Sequence, residues 1–385
     1  MEGIMLFVKT DNLKPGMRIA RPIYNRMGVM LYERNSKLTM QSINSIQNFG
    51  LIGLFILEPA EPLPPLTQED IEFEQFQTVS MFQIRDAMVM LKNEKEPKQL
   101  DRLAKEIIKR YGSLNHKIAF TQNLRSTTDF VYKHSISCAI LVALISNEMK
   151  LNQTEQLDLV YAALLYDFGI LYAPSEILEK SDDLSDSEAH TLQEARKKGL
   201  AMLKPDQNPF HFPEGSLEII RQILNAPSSS EHRVPSSTHF SRVTQILQVV
   251  DRFDFMTAMH LNREPVSELK AIRYLQNYPK LYSSSVVEAL SRCIHILPVG
   301  ACVDLSNLHK GLVVAENKKF FLSPIVLDFE TNELLDLSDR EVIQNIHIVD
   351  IMKTMDNRIS IDRVSLKLFQ SDPHTKAALK HFLHK

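Results

Sequence analysis

The chain has 385 residues, 44% of them hydrophobic and 24% charged, with a formal net charge of -3. That length accommodates more than one domain and a sizeable core. The slightly acidic balance argues against bulk nucleic-acid binding, which draws on a basic excess.

Residues 1–58 read as a small α+β module. Lys14-Pro15-Gly16-Met17 and Asn25-Arg26-Met27-Gly28 are turn sequences. Arg18–Tyr24 and Val29–Glu33 are expected to pair as a hairpin. Thr39–Phe49 has helical spacing with Gly50 placed to end it, and Leu51–Leu57 is a continuous apolar strand. Pro59, Pro62, Pro64 and Pro65 mark residues 59–68 as a stiff, extended linker. Residues 69–125 form a helical connector whose clearest helix is Asp101–Tyr111, with Lys105, Lys109 and Arg110 on its solvated face. Residues 126–297 form a helical core broken at Pro174, Pro205, Pro213 and Pro235, with a Ser/Pro-rich loop over Asn225–Thr238. Residues 298–330 switch to strand patterns, with Gly311–Val314 and Phe320–Val326 in a small antiparallel sheet that strands from residues 17–33 are expected to join. In the tail, 331–385, Ser338–Ile343 and Val349–Met355 read as short helices and Thr375–Leu383 as a final one. Ser338 with Glu341 fits a capping box. The fold class is mainly α: a helical bundle core with a small β-rich subdomain built from the N-terminal and post-core segments.

Cys138, Cys293 and Cys302 lack metal-ligand spacing and read as free thiols of a reducing cytoplasm. No apolar run approaches the ~20 residues of a bilayer span. The opening Met-Glu-Gly-Ile-Met-Leu lacks a basic n-region. A cytoplasmic location and no membrane partner are expected.

Three polar residues interrupt apolar stripes. His134 lies in a helix predicted over Asp129–Met149, on a face with Cys138, Leu141, Val142 and Ile145. Asp167 ends a second helix, below Val160 and Leu164, and Asp251 shares a third with Val243, Leu247 and Val250. Such stripes turn into the core, where a carboxylate is expensive unless paired, hydrogen-bonded or metal-bound. Ligand-type side chains on three helices predict one shared polar site.

The order and spacing of several segments resemble the HD-GYP family of bacterial cyclic di-GMP phosphodiesterases, a branch of the HD metal-dependent phosphohydrolases. Lys133-His134-Ser135 is similar to the first ligand helix, and the run from Ala162 to Ile170 to the AALLHDIGK signature. Pro174 to Lys180 resembles IPxxILxK, Leu184 to Glu188 resembles LTxxE, and Gly199 fits a glycine further on. Val249 to Asp254 resembles VADxFDA, and Pro298 to Leu305 the segment PVGxxVxL after the core. The N-terminal module, opening with Leu13-Lys14-Pro15-Gly16-Met17, is similar to one common on such proteins. The resemblance implies an HD-type bundle for residues 126–297.

The departures bear on chemistry. The family histidine of the HD pair reads Tyr166, the lysine after it Ile170, and the next histidine Ala195. The paired histidines fall near Ile223 and Leu224, and the GYP loop keeps only Pro235. Residue by residue, the resemblance carries over His134, Asp167 and Asp251 as metal ligands, with Asp167 the catalytic candidate if the protein is active. His232 and Arg233 are candidate nucleotide contacts. Metal-assisted phosphodiester hydrolysis lowers the pKa of a bound water and neutralises phosphate charge. Three ligands suit one octahedral ion at most. Absence of a cofactor is therefore expected, with a single Mn or Fe ion as the alternative. Three functions stay open: a non-catalytic signalling protein that is either a cyclic-di-GMP-related effector or a protein-interaction module, acting through a protein partner or homo-oligomer; a phosphodiesterase with a reduced metal site; and a helical scaffold without nucleotide binding.

Overall fold

A computed structural model describes residues 5–25, 27–34, 36–48, 53–57, 67–122, 124–126, 128–178, 184–204, 210–225, 240–260, 265–317, 319–331 and 333–351. The proline cluster Pro59–Pro65, Gly50, most of the Asn225–Thr238 loop with His232 and Arg233, and the final predicted helix lie outside them. The chain divides into two compact units. One gathers Met1–Asn25, Val29–Thr67 and Ile296–Lys385; the other is essentially Gln68–His295.

In the first unit, strands β1 (Met5–Lys9), β2 (Arg18–Ile19), β3 (Ile23–Tyr24) and β4 (Met30–Tyr32) precede helix α1 (Met40–Asn48) and strand β5 (Gly53–Leu57). β1, β5 and β2 form one antiparallel sheet in that order, and β3 pairs with β4. The predicted hairpin is thus only partly formed. Pro22 has no N–H for a ladder, and the segment before it pairs with β5 instead. Ile19, Leu38, Ile43, Ile46 and Ile56 form the core here.

The post-core strands of the same unit are β8 (Cys302–Leu305), β9 (Lys310–Ala315), β10 (Ile325–Asp328), β11 (Leu334–Asp336) and β12 (Ile348–Ile351), with β6 (Leu124–Arg125) and β7 (Met259–His260) in the other unit. They form an antiparallel sheet, ordered β11-β10-β9-β8-β12. Among the described residues, the strands of 17–33 do not pair with it. The strand expected from Phe320 starts only at Ile325, after Pro324, and Phe320 is exposed. Val349 belongs to a strand rather than a helix: Ile346, Ile348, Val349 and Ile351 are β-branched and suit a pleated, half-buried surface. The short helix α12 (Arg340–Asn345) is capped by Asp339, whose side chain accepts from the Glu341 N–H, not by Ser338.

The second unit holds α2 (Gln68–Lys92), α3 (Leu100–Tyr111), α4 (Phe130–Glu148), α5 (Gln153–Leu165), α6 (Ser175–Leu178), α7 (Asp186–Met202), α8 (Glu214–Asn225), α9 (Arg242–Thr257), α10 (Glu268–Asn277) and α11 (Ser284–Cys293). Helix α4 is its axis, packed by α2, α3, α5, α9 and α11. A helix apolar all round is one that is buried all round. At 19 residues α4 is, contrary to the reading from hydropathy, long and apolar enough to cross a bilayer, yet its window is 83% buried inside the protein.

Local sequence sets the helix starts. Asn152 and Glu155 form a capping box on α5, and Ser185 and Glu188 form one on α7. The LTxxE-like segment therefore has a folding role, since a cap of this kind contributes about 1 kcal/mol. Ser241 caps α9 and Ser267 caps α10 in the simpler way.

Candidate functional site

Helices α4 and α9 and the end of α5 bring His134, Asp167 and Asp251 together. His134 Nε2 lies 3.1 Å from Asp251 Oδ1 and 3.5 Å from Asp167 Oδ2. One donor atom from each of the three falls within 4.8 Å of the others. His134 and Asp167 are buried, whereas the Asp251 side chain is 35% exposed. The set therefore opens outward on the Asp251 side.

Behind it stands a network that the stripe argument did not include. Asp254, one turn beyond Asp251 on α9, faces the other ring nitrogen, with Oδ2 2.6 Å from His134 Nδ1. Arg125 donates to both Asp254 oxygens, at 2.6 and 2.7 Å, and both side chains are fully buried. Gln122 donates to Asp254 Oδ1 and to Thr257, while Arg125 also reaches Gln122 Oε1 and Ser137 Oγ. The short parallel pair β6 (Leu124–Arg125) and β7 (Met259–His260) pins Arg125 beside the end of α9. A carboxylate on the far nitrogen fixes the ring's orientation, as it does for metal-bound histidines.

Asp167 is held from the other side. It begins the 3-10 turn Phe168–Tyr172, which lies against α7. A Cβ on Gly199 would sit 2.3 Å from Gly169 Cα, so both positions need glycine for this approach. The contact brings Arg196 of α7 to Asp167, with Nε 2.8 Å from Oδ1. Its guanidinium lies over the Tyr166 ring, 5.5 Å from the centroid. Asp167 Oδ2 is buried and accepts no hydrogen bond.

The electrostatics follow from this arrangement. Burial works against the Asp254 carboxylate, but the Arg125 guanidinium and His134 hold it well below the usual carboxylate range. Burial opposes a charge on His134, and Cys138 with the hydrogen bonds to Asp251 and Asp254 raises it well above an ordinary histidine. Burial pushes the Cys138 thiol up to about 12, so it is neutral near pH 7. Burial likewise raises the Tyr166 phenol, with Arg196 opposing, which leaves a poor ligand in the histidine's place. If Nδ1 donates to Asp254, a bare Nε2 would face two carboxylate oxygens lone pair to lone pair. A proton or another cation relieves that repulsion.

The other positions singled out in the sequence sit as follows. Ala195 is buried on α7, its backbone against Gly169, and Ile170 is buried in the 3-10 turn. Ile223 and Leu224 are buried on α8, and Gln193 donates to the Leu224 carbonyl, tying α7 to α8. Among the described residues the one other ligand set is His134, Cys138 and Asp254. Its carboxylate is committed to Arg125 and its thiol is protonated. Asp254, Arg125 and Arg196 were missed by sequence reasoning. Asp254 was findable, since it lies three residues from Asp251 on one helix face; Arg125 and Arg196 gave no signal above an ordinary cation.

Comparison with known proteins agrees with the geometry. Residues 119–286 match the HD domain family, a span that contains the whole site. The cyclic di-GMP phosphodiesterase PA4108 of Pseudomonas aeruginosa is 22% identical over 215 residues, 54% of this chain and 49% of that protein. The cyclic di-GMP phosphodiesterase PdeB of Borreliella burgdorferi is 38% identical over 60 residues, 16% of each. The chain thus matches about half the length of the first and a short segment of the second. Bd1817, an HDG"Y"P protein from Bdellovibrio bacteriovorus, superposes with a TM-score of 0.44 at 12% identity, over 74% of this chain and 97% of that one. The match to the HD domain family lies over residues 119–286, and the curated relatives that the chain resembles over part of their length are both cyclic di-GMP phosphodiesterases.

Proposed function

We propose that the chain is a non-catalytic member of its family, a cytoplasmic signalling protein that binds cyclic di-GMP without hydrolysing it and acts through a protein partner or a second copy of itself. The observation that carries this reading is the Arg196–Asp167 ion pair beside the Tyr166 ring. Where the resemblance places the histidine of the HD pair, this chain has the neutral phenol of Tyr166, and Arg196, one residue beyond Ala195, puts a guanidinium on one oxygen of a would-be ligand. The remaining donors, His134 Nε2, Asp167 Oδ2 and Asp251 Oδ1, fit a single ion and not a multinuclear cluster. Such an ion would supply an acidified water and phosphate charge neutralisation; around it, Asp254 and Arg125 would orient His134.

A second reading, a phosphodiesterase with a reduced site, is favoured by Asp167 Oδ2, a buried oxygen that accepts no hydrogen bond and has His134 Nε2 no nearer than 3.5 Å, which a closer cation would satisfy. A hydrolysis assay with excess Mn2+ or Fe2+, comparing wild type with Asp167→Ala, separates the two. The first reading expects no turnover from either protein. Multiple turnovers in wild type that vanish in the variant put the enzyme first.

A further inference from the structure

Arg196, like Arg125, differs from the surface cations of the bundle. Its side chain is only 23% exposed and reaches a carboxylate that is 1% exposed. An arginine stays protonated in proteins at any ordinary pH, so this charge cannot be released to make room for an ion. The residue is not placed there by chance flexibility. The Gly169–Gly199 approach fixes α7 against the turn that carries Asp167. The Ser185–Glu188 box fixes where α7 starts, and the Tyr166 ring provides the flat face on which the guanidinium rests. A divalent ion bound to His134, Asp167 and Asp251 would lie next to this fixed positive charge. Held through Asp167 Oδ2, it would share one carboxylate with the guanidinium on Oδ1 and meet that charge's repulsion.

We propose that Arg196 is a built-in cation that takes the place of a divalent metal at Asp167, so that the site is assembled without metal and is closed to it. This rests on the non-catalytic reading above, and it assigns to one residue the loss of metal that the reading requires. Arg196 then has two tasks: it neutralises a buried carboxylate that would otherwise destabilise the bundle, and it sets the specificity of the site against dications. Neutralising the residue removes both effects together. The site should become metal-binding, and its stability should become metal-dependent.

The test uses the full chain, freed of metal by chelation, with Mn2+ alone as the probe, read by electron paramagnetic resonance and by thermal unfolding. Wild type is expected to bind Mn2+ no tighter than millimolar and to show no Mn2+-dependent shift in Tm. Arg196→Met should bind at least tenfold tighter, unfold at a lower temperature in chelator, and regain stability on adding Mn2+. Arg196→Gln keeps an N–H donor for Asp167 without the charge and should show the same gain. Arg196→Lys keeps the charge and should not. Adding Asp167→Ala to Arg196→Met should abolish the gain. A residue that is merely structural would lower Tm in the variants with no gain in Mn2+ affinity, and that result overturns the proposal. So does wild-type protein that binds Mn2+ at micromolar concentration, which needs no variant to fold. Failure of cyclic di-GMP to bind would sink the signalling reading while leaving the Mn2+ result standing.

Discussion

The Arg125–Asp254 pair provides the most demanding test of the packing behind the site. Arg125→Met keeps the apolar stem and removes the guanidinium. Two charge-assisted hydrogen bonds to Asp254 disappear, and Gln122 Oε1 and Ser137 Oγ lose a donor. Because both side chains are fully buried, water does not replace the lost partner. Breaking a buried pair by removing one member costs about 3–5 kcal/mol. The exposed Lys105–Asp101 pair on α3, with side chains 66% and 58% accessible, is the contrast; losing it costs roughly 0.3–0.5 kcal/mol. Denaturant unfolding followed by the helical signal measures both. Adding Asp254→Asn to Arg125→Met removes the stranded charge, and an amide oxygen still accepts from His134, so the double variant should be more stable than Arg125→Met alone. A loss under about 1 kcal/mol for Arg125→Met, or no recovery in the double variant, would refute the argument that Arg125 is the main counter-charge of the buried Asp254 carboxylate.

Gly199→Ala should lower Tm by several degrees and weaken the Arg196–Asp167 contact, because its Cβ would lie 2.3 Å from Gly169 Cα and backbone must shift; an unchanged Tm contradicts the close approach. In the β-rich unit, the Asp328 hydrogen bond raises His309 above its ordinary value, while burial works against the Asp328 carboxylate and the His309 hydrogen bond holds it low. The contribution of His309 is complete below about 6.5 and is lost as pH rises through its raised value; that of Asp328 is complete above about 3.9 and is lost as pH falls through its lowered one. The pair should therefore stabilise the sheet most between about pH 4 and 6.5. A histidine NMR titration should show His309 falling back towards ~6.5 in Asp328→Asn, and no change between the two proteins removes the pair as the cause.

Much of the helical unit was legible because its periodicity is strong and its caps are local. The helix of His134 was expected over Asp129–Met149 and runs over Phe130–Glu148, with Asp129 and Met149 as its two caps. The three intruding polar residues were legible for the same reason: a stripe makes a polar residue conspicuous. What supports them was not. Arg125 reaches Asp254 across 129 positions of sequence, from a strand of two residues too short to carry a pattern. Arg196 sits in Glu194-Ala195-Arg196-Lys197-Lys198, a run that looks solvated until Gly169 and Gly199 are seen to pull its helix inward. The β-rich unit was less legible. Single prolines at 22 and 324 moved strand boundaries, and β12 was read as helix because its short apolar run fits either period.

The central claim, binding of cyclic di-GMP without hydrolysis, is tested most directly by calorimetric titration of the chelator-treated protein with the nucleotide, followed by recovery of the nucleotide from the cell. The account predicts saturable binding in the presence of chelator and recovery of the nucleotide intact, before and after Mn2+ is added. Binding that appears only with Mn2+, or hydrolysed nucleotide in the recovered sample, would contradict it and establish the reduced-site enzyme; no binding under either condition would contradict it in favour of a scaffold.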